Sequence, residues 1–457
     1  MAAYRGRIVV AAPWSGSGKT TLTLLLLAGL KARGLRVQSF KVGPDYIDGG
    51  YHTVLTGRPA RNLDLWMGGG ADDALRQLIA GERGADVSVV EGVMGFFDSG
   101  APDGVDVSTA QLARTIRAPV ILVVDGSRMA ESAAALVYGF MHAPTSPGIQ
   151  GVILNQVAGP GHYQLLERAI RLQTGVPVLG YVPKQADLAI PERHLGLVPA
   201  VERQELARRV TAAADMASET LDWDRILRIA EAAPPLAREE AAMAVEARTG
   251  PPIPVALAQD EAFHFYYAAN LELLESLGAE LLPFSPLRGE SIPEEARLLY
   301  AGGGFPEEFL PRFQELRSAH AGYRARLAQG LMTLAECGGY LWLAQSLGVG
   351  SDPPVPMVGV VPATMRLEPR LQAIGYRTVS ARSGGPWPVH TTFRGHEFHN
   401  SRVVEAEAYA AAWSTRGRGG EGTDGYLTST VVAGFTHLYF PSNPDAIRSL
   451  LERAAGR

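Results

Sequence analysis

Cysteine is almost absent from the sequence, since Cys337 is the only one among 457 residues. A chain with one cysteine cannot form an internal disulfide, which excludes the class of secreted folds held together by disulfide frameworks. The scarcity also singles out Cys337 as a residue whose surroundings need an analysis of their own.

An excess of positive charge is missing as well. The chain carries 42 lysines and arginines against 47 aspartates and glutamates, which gives a formal net charge of -5 at pH 7. Its pI is near 6.1. Because the chain has no basic footprint, nucleic acid is not expected as its main partner.

Long apolar runs are also lacking. The most apolar helix candidate, residues 22–30, is far shorter than the ~20 residues that a membrane span needs. Arg5 and Arg7 precede an apolar run that Pro13 soon interrupts, which argues against a signal peptide. We therefore expect a cytoplasmic protein with no membrane partner.

The sequence does have the length and apolar content for more than one core. Hydrophobic residues make up 46% of the chain, and about 150 residues per domain suggests two or three domains. Pro234, Pro235 and the segment 250–252 (GPP) are typical of a connection between domains. We predict one domain over residues 1–240, a linker over residues 241–252 and a second domain over residues 253–457.

The most informative stretch is residues 13–21 (PWSGSGKTT), which lies between the apolar run 8–10 and the helix-forming run 22–30. Strand, glycine-rich turn and helix in this order form an anion site from backbone N–H groups, and the lysine of such a loop reaches terminal phosphates. The pattern G-x-x-x-x-G-K-[ST] is met except at Pro13. The alternative is an ordinary glycine-rich loop. The predicted nucleotide-binding residues are Ser15, Gly16, Ser17, Gly18, Lys19, Thr20, Thr21 and, at the end of a later strand, Asn155.

Short apolar runs alternate with helical patterns through the rest of the first domain, at residues 35–40, 86–90, 119–124 and 151–154. This alternation predicts a doubly wound parallel sheet whose ligands bind at the carboxyl ends of the strands. Asp45, Asp48, Glu91 and Asp98 all fall at such ends. A Mg²⁺ that bridges phosphates needs one or two carboxylates besides the loop hydroxyl, and we assign it to Thr20, Asp45 and Glu91. Each acidic residue has an alternative role as a cap of a turn or helix.

The second domain repeats the pattern, with strands predicted at residues 253–258, 279–283, 298–301 and 331–336, and a helix at residues 266–277. Cys337 follows the last of these strands and precedes Gly338, Gly339 and a predicted helix over residues 340–347. A nucleophile at a tight strand-to-helix turn needs such small neighbours. We expect the helix N-terminus to lower the pKa of the thiol. The alternative is a buried structural cysteine.

A catalytic thiolate needs a base. His437 is the leading candidate, because it ends the segment that begins with the apolar run 430–433 and precedes a turn. His396 and His399 are rivals for the base or for a metal ligand. Their spacing, with one nearby glutamate and no third histidine or cysteine, is a weak metal signal.

Taken in order, the motifs resemble the cobyrinate a,c-diamide synthases of cobalamin biosynthesis over nearly the whole chain. The segments that carry this resemblance are 12–21 (APWSGSGKTT), 41–48 (KVGPDYID), 91–95 (EGVMG), 260–263 (DEAF), 335–340 (AECGGY) and 395–399 (GHEFH). Pro13 in place of glycine agrees with this resemblance, since the related amidoligases and dethiobiotin synthetase carry a similarly altered loop.

The resemblance implies a P-loop amidoligase domain similar to dethiobiotin synthetase, joined to a class I glutamine amidotransferase domain. Cys337 would attack the glutamine amide with His437 as base, and N–H groups near Gly303 and Gly338 would stabilise the oxyanion. ATP would phosphorylate the a and c carboxylates of a tetrapyrrole polycarboxylate, and ammonia would displace the phosphate. Asp48 and Asp98 would act catalytically by orienting the macrocycle carboxylate or the incoming ammonia.

One departure concerns His437, which precedes Leu438 and Tyr439 where many class I amidotransferases have Pro-Glu, so what orients it stays open. Cobyrinate and hydrogenobyrinate are equally close as substrates. The alternatives are a nickel-sirohydrochlorin a,c-diamide synthase of coenzyme F430 formation, and a P-loop regulatory ATPase with a degenerate amidotransferase domain. A monomer and a homodimer are both compatible with the sequence.

Overall fold

The computed structural model describes residues 6–184, 200–236 and 250–456. The chain divides into two compact units, Met1–Ala242 and Met243–Arg457. Most of the predicted linker, up to residue 249, lies outside the described residues. The predicted domain limits at residues 240 and 253 stay a prediction.

The first unit is built on a seven-stranded sheet. Its strands are β1 (Arg7–Ala11), β2 (Val37–Val42), β3 (Arg61–Leu63), β4 (Val87–Glu91), β5 (Val120–Asp125), β6 (Gly151–Val157) and β7 (Val178–Pro183). The order is β3-β2-β4-β1-β5-β6-β7, and every neighbouring pair is parallel. All residues of β1, β2 and β4 are buried, as expected for strands covered on both faces.

Helices separate these strands along the chain. They are α1 (Lys19–Ala32), α2 (Ile47–Thr56), α3 (Ala71–Glu82), α4 (Thr109–Thr115), α5 (Ser132–His142), α6 (Pro160–Thr174), α7 (Ala200–Ala217) and α8 (Trp223–Glu231). The leucines of α1 lie in a buried cluster with Trp223 of α8 and with apolar residues of β1 and β4. The predicted doubly wound parallel sheet is confirmed.

The second unit has more strands than helices. Its strands are β8 (Ile253–Ala258), β9 (Ala279–Phe284), β10 (Leu298–Ala301), β11 (Met332–Glu336), β12 (Ala344–Val349), β13 (Val355–Pro356), β14 (Val361–Leu367), β15 (Ala373–Ala381), β16 (Thr392–His399), β17 (Ser401–Ala406), β18 (Trp413–Gly417), β19 (Gly420–Asp424), β20 (Tyr426–Leu427), β21 (Val431–Gly434) and β22 (His437–Tyr439). Its helices are α9 (Ala268–Ser276), α10 (Leu310–Glu315), α11 (Arg317–Ala328), α12 (Gly338–Leu343) and α13 (Pro444–Ala454).

A six-stranded sheet of order β20-β21-β11-β10-β8-β9 forms the centre of this unit. Its pairs are parallel except for β20 with β21. Two smaller sheets, β13-β12-β14-β17 and β19-β18-β15-β16-β22, were not predicted. The predicted helix over residues 340–347 is wrong in its second half: α12 ends at Leu343, and the next residues form β12, which pairs with β13 and β14.

None of the helices among the described residues combines the length and the apolar character needed to cross a membrane.

Candidate functional site

The glycine-rich loop of the first unit joins β1 to α1. Gly16 and Gly18 both have a φ of 87°, in the left-handed region that favours glycine. A Cβ atom on Gly18 would lie 1.9 Å from the side-chain nitrogen of Asn155, so this position also has no room for a larger residue. Asn155 donates from that nitrogen to the carbonyl of Ser17 at 3.1 Å. The structure therefore places Asn155 against the loop, where it braces the backbone.

Lys19 opens α1 and crosses to the loop that follows β4. Its Nζ donates to the carbonyl of Met94 at 3.0 Å. Burial lowers the pKa of Lys19 to about 8, with the charge of Lys41 adding to the effect and the carboxylate of Glu91 opposing it. Lys19 thus lies next to the glycine-rich loop. A bound phosphate would favour the charged form of its ammonium group.

Two predicted carboxylates meet the hydroxyl of Thr20. Thr20 donates to Glu91 Oε1 at 2.5 Å and lies 3.5 Å from Asp48 Oδ2. Glu91 is the last residue of β4, and Asp48 lies in the first turn of α2. The parallel sheet brings these residues together because β1, β2 and β4 are neighbours and their carboxyl ends share one edge.

Lys41 and His52 complete this cluster and were not predicted as site residues. Lys41 Nζ donates to Asp48 and, at 2.9 Å, to Glu91, and His52 Nε2 lies 2.8 Å from the other oxygen of Glu91. Although burial opposes it, the Lys41 charge and the His52 contact hold the pKa of Glu91 well below its usual range. Burial outweighs the Lys41 charge at Asp48 and raises the pKa of that carboxyl to about 8. A lysine inside the fully buried strand β2 was the available signal for Lys41.

The other two predicted carboxylates cap turns. Asp45 Oδ1 accepts from the backbone N–H of Ile47 at 2.7 Å, and its second oxygen lies 3.8 Å from Lys41 Nζ. Asp98 Oδ2 accepts from the N–H of Gly95 at 2.9 Å. The geometry therefore favours Asp48 over Asp45 as the partner of Thr20 and Glu91, and Asp98 holds the loop after β4.

In the second unit, Cys337 lies between β11 and α12 with φ 47° and ψ -103°. Such a backbone is strained for a residue with a side chain. Its N–H donates to the carbonyl of Gly434 at 2.8 Å, and a Cβ atom on Gly338 would lie 2.8 Å from the backbone nitrogen of Gly304. The predicted tight strand-to-helix turn is present.

The expected lowering of the thiol pKa is wrong for this arrangement. Burial raises the pKa of Cys337, and the nearby carboxylate of Glu307 is the strongest charge that adds to this rise. The physical reason is that α12 spans six residues and Cys337 is 7% exposed. Loss of hydration therefore outweighs the partial positive charge of so short a helix terminus.

His437 lies beside the same loop. A Cβ atom on Gly303 would be 2.2 Å from His437 Cε1, and Gly303 precedes Gly304, which abuts Gly338. The loop of residues 302–304 therefore touches both the neighbour of Cys337 and the imidazole. Burial, reinforced by His396 and His399, lowers the pKa of His437 to about 3, so the ring is neutral in this arrangement.

The backbone on both sides of His437 is fixed by buried polar side chains. Glu336 Oε1 accepts from the N–H of Leu438 at 3.1 Å, and Asn270 donates to the carbonyl of Leu438 at 2.7 Å. On the other side, the hydroxyl of Thr436 donates to Glu397 at 2.8 Å. These contacts fix His437 through the backbone of its strand, and neither Glu336 nor Asn270 was predicted as a site residue.

The rival histidines have structural contacts. His399 stacks on Phe435 with 4.0 Å between ring centroids, and its Nδ1 lies 2.8 Å from the carbonyl of Ser401. His396 pairs with His437 across β16 and β22. Over the described ranges, no group of three or more His, Cys, Asp or Glu side chains is arranged to hold a metal ion.

Together these features define a nucleotide-binding α/β domain joined in one chain to a glutamine amidotransferase domain. Residues 8–198 match the family model described as "CobQ/CobB/MinD/ParA nucleotide binding domain", and residues 254–445 match the "CobB/CobQ-like glutamine amidotransferase domain". These matches confirm the predicted fold class.

Relatives of known name extend the match to nearly the whole chain. The "Cobyrinate a,c-diamide synthase" of Priestia megaterium is 41% identical over 98% of this chain and 96% of its own length. That of Listeria monocytogenes is 42% identical over 96% of this chain and 97% of its own. The "Hydrogenobyrinate a,c-diamide synthase" of Streptomyces coelicolor is 39% identical over 98% and 97%. The chain belongs to the cobyrinate a,c-diamide synthase family, as its motifs predicted.

Proposed function

We propose that this protein is a ligase that amidates the a and c carboxylates of cobyrinate or hydrogenobyrinate, using ATP and ammonia released from glutamine. The observation that carries the proposal is that one chain holds two separate groups of side chains suited to the two half-reactions. Lys19, Thr20 and Glu91 suit phosphate transfer, whereas Cys337 and His437 suit amide cleavage. Relatives with these activities in their names are about 40% identical over nearly the full length.

In the ATP-dependent half, the loop N–H groups and Lys19 bind the phosphates. The donor set of one hydroxyl and two carboxylates fits a Mg²⁺ that also takes phosphate oxygens, and we assign it to Thr20, Glu91 and Asp48. The ion would supply positive charge to the phosphates. The sequence motifs predict Asp45 as a ligand of this ion. In this proposal Asp48 replaces it, and Asp45 supports the turn before α2.

Amidation then follows from the chemistry of a carboxylate, which is a poor electrophile until it is activated. A substrate carboxylate oxygen attacks the γ-phosphorus of ATP and ADP leaves, which gives an acyl phosphate. Ammonia attacks the acyl carbon, phosphate leaves, and the nitrogen loses a proton. Asp98 remains a predicted acceptor for that proton or an orienting group for the carboxylate.

In the amidotransferase half, the sulfur of Cys337 attacks the side-chain amide carbon of glutamine while His437 takes the thiol proton. The same histidine returns the proton to the leaving ammonia, and water then hydrolyses the thioester to glutamate. We assign stabilisation of the oxyanion to backbone N–H groups near Gly303 and Gly338; the N–H of Gly303 itself donates to the carbonyl of Phe265 at 3.3 Å.

The test is incubation with ATP, Mg²⁺, glutamine and each of three macrocycles: cobyrinate, hydrogenobyrinate and nickel-sirohydrochlorin. Mass spectrometry should detect two amidations of cobyrinate or hydrogenobyrinate. Amidation of nickel-sirohydrochlorin alone would identify the alternative substrate. A regulatory ATPase would release no ammonia from glutamine, and that result would overturn the proposal.

We place the enzyme in the cytoplasm, where ATP and glutamine are abundant. The proposed reaction needs no residue from a second copy of the chain, so a monomer and a homodimer both satisfy it.

A further inference from the structure

A buried carboxylate lies next to the amidotransferase nucleophile and has no role in the steps above. Glu307 follows the loop of residues 302–304, in a 3-10 turn over Pro306–Phe309, and is 8% exposed. Its Oε2 atom is buried and has no hydrogen-bond partner among the described residues. A buried carboxylate oxygen without a partner is costly, so it calls for a ligand or a function.

Glu307 lies on an element that packs beside the Cys337 turn. The 3-10 turn packs against α12, the helix that begins directly after the nucleophile. The three carboxylates whose charges reach the sulfur are Glu307, Glu336 and Asp424, with Glu307 the strongest. Glu307 therefore belongs to an element in contact with the helix that begins beside Cys337, and its charge acts on the thiol.

The other two carboxylates are already engaged. Glu336 accepts from Leu438 and from the hydroxyl of Tyr300, and Asp424 accepts from the N–H groups of Phe435 and Thr436. Among the described residues, Glu307 is the one of the three with an oxygen left over. Burial raises the pKa of Glu307 to about 8, with the adjacent Glu308 charge adding to the rise and its own backbone N–H opposing it. A cation that arrives with the substrate would restore its ionised form.

We propose that Glu307 binds the α-ammonium group of glutamine while the side-chain amide lies at Cys337. This inference rests on the proposed function, which makes glutamine the substrate. The α-ammonium is the only cationic group of glutamine and lies a few bonds from the amide carbon. A charge-assisted hydrogen bond from it to Oε2 would supply the missing partner. Glu307 would then select α-amino acid amides over amides that lack the ammonium.

Glutaramate, which is glutamine without its α-amino group, is the probe for this contact. The ratio of kcat/KM for glutamine to that for glutaramate is measured by ammonia release on the full-length chain. In the wild-type protein this ratio should be large. Glu307→Gln should lower it about 10- to 100-fold, which is the loss expected for one charge-assisted hydrogen bond, and most of the change should lie in the KM for glutamine.

Glu308→Gln is the matched control, because Glu308 is the next residue and is exposed. It should keep the wild-type ratio. Glu307→Asp, which retains a carboxylate, should keep more of the preference for glutamine than Glu307→Gln does. Synthesis with added ammonium should stay near the wild-type rate in all three variants, because the ATP-dependent residues are untouched.

Two results would overturn the inference. One is a wild-type protein that hydrolyses glutaramate as efficiently as glutamine, a measurement that needs no variant to fold. The other is an unchanged ratio in a folded Glu307→Gln variant. Failure of the proposed function looks different, since the wild-type protein would then release no ammonia from glutamine at all.

Discussion

At the scale of single residues, the side chain of Glu336 connects the backbone beside Cys337, the proposed nucleophile, to the backbone beside His437, the proposed base. Glu336 directly precedes Cys337, and its carboxylate accepts from the N–H of Leu438, which directly follows His437. The hydroxyl of Tyr300 donates to its second oxygen at 3.0 Å. Burial raises the pKa of Glu336 to about 8, against the effect of these two hydrogen bonds. The proton on this carboxyl is therefore linked to folding.

The first prediction is a pH-dependent stability set by Glu336. Its pKa is about 8 in the folded protein and 4.5 as the ordinary value, so the folded state binds more protons than the unfolded state between these limits. Its contribution to the free energy of unfolding is thus full below pH 4.5 and falls by about 4–5 kcal/mol as the pH rises to 8. Glu336→Gln should flatten that part of the curve measured by urea unfolding. An unchanged pH slope in the variant would contradict the assignment.

A second prediction separates the two chemical sites by nitrogen source. Cys337→Ala should reduce glutamine-driven synthesis by at least ~10³-fold and leave ammonium-driven synthesis near the wild-type rate, because the thiolate serves to release ammonia. Lys19→Ala should reduce synthesis from both sources about 10²- to 10³-fold, since phosphate stabilisation is needed in either case. Parallel assays with glutamine and ammonium chloride measure both. Loss of both activities in a folded Cys337→Ala variant would reject the two-site scheme.

A third prediction distinguishes the acidic residues near Thr20. Asp48→Asn should raise the Mg²⁺ concentration that gives half-maximal ATP turnover about tenfold, because it removes one charged ligand. Asp45→Asn should change it little, since an asparagine oxygen can still accept from the N–H of Ile47. Mg²⁺ titrations of ATP turnover compare the two variants directly. If Asp45→Asn shifts the requirement and Asp48→Asn does not, the assignment made from sequence is the better one.

The candidate site residues that could be predicted are those that lie in a local sequence motif. Thr20 and Glu91 follow from a loop and a strand end, and Cys337 from its strand-to-helix turn. Lys41 and His52 were missed because their importance comes from contacts with Glu91, which is 50 and 39 positions away along the chain. A local sequence pattern does not reveal a contact between residues so far apart along the chain.

At the scale of elements, the loop of residues 302–304 connects the amidotransferase residues. Gly302 donates its N–H to the hydroxyl of Tyr266 at 2.9 Å, which fixes the start of the loop. Gly303 faces His437 and Gly304 faces Gly338. Glycine at these positions leaves room for both contacts, so a larger residue in the loop would displace His437 or the backbone next to Cys337.

The fourth prediction follows from that close approach. Gly303→Ala would place a methyl group 2.2 Å from His437 Cε1, and the ring must move. Glutaminase activity should fall at least ~10²-fold, with ammonium-driven synthesis retained. Gly322→Ala is the matched control, because Gly322 lies in α11 with nothing within 4 Å of its added Cβ. It should keep full activity and gain about 0.5–1 kcal/mol of stability. Equal activity of the two variants would show that His437 tolerates displacement.

Most strands of the two larger sheets were predicted, but β3, β7 and the strands from β12 to β20 were not. Buried strands such as β1 (RIVVA) and β11 (MTLAE) are mostly apolar, and single sequences display such short runs well. β15 is mostly half-buried, with no regular alternation of buried and exposed positions, and β19 is almost wholly exposed. Such strands are stabilised mainly by pairing with their neighbours in the sheet, so their own sequences show little periodicity of apolar residues. The weak pattern of such strands also explains why the sequence predicts a helix where the first residues of β12 lie.

At the scale of the whole molecule, each unit has the apolar interior of an independent domain. The cluster around α1 and β1 draws on the first unit, and the two clusters around β8, β10 and β11 draw on the second. A nucleotide that binds the first unit should therefore stabilise that unit without a direct effect on the interior of the other.

This separation gives the fifth prediction, on thermal unfolding of the full chain. Calorimetry should resolve two transitions, because each unit buries its own core. A non-hydrolysable ATP analogue with Mg²⁺, at about 100 times its Kd, should add about 2.7 kcal/mol to the first unit and raise its Tm by about 5–10 °C. The second transition should stay in place. Lys19→Ala should abolish the shift and thereby identify the nucleotide-sensitive transition as that of the first unit. A single transition, or an equal rise of both, would instead mean that the two units unfold cooperatively.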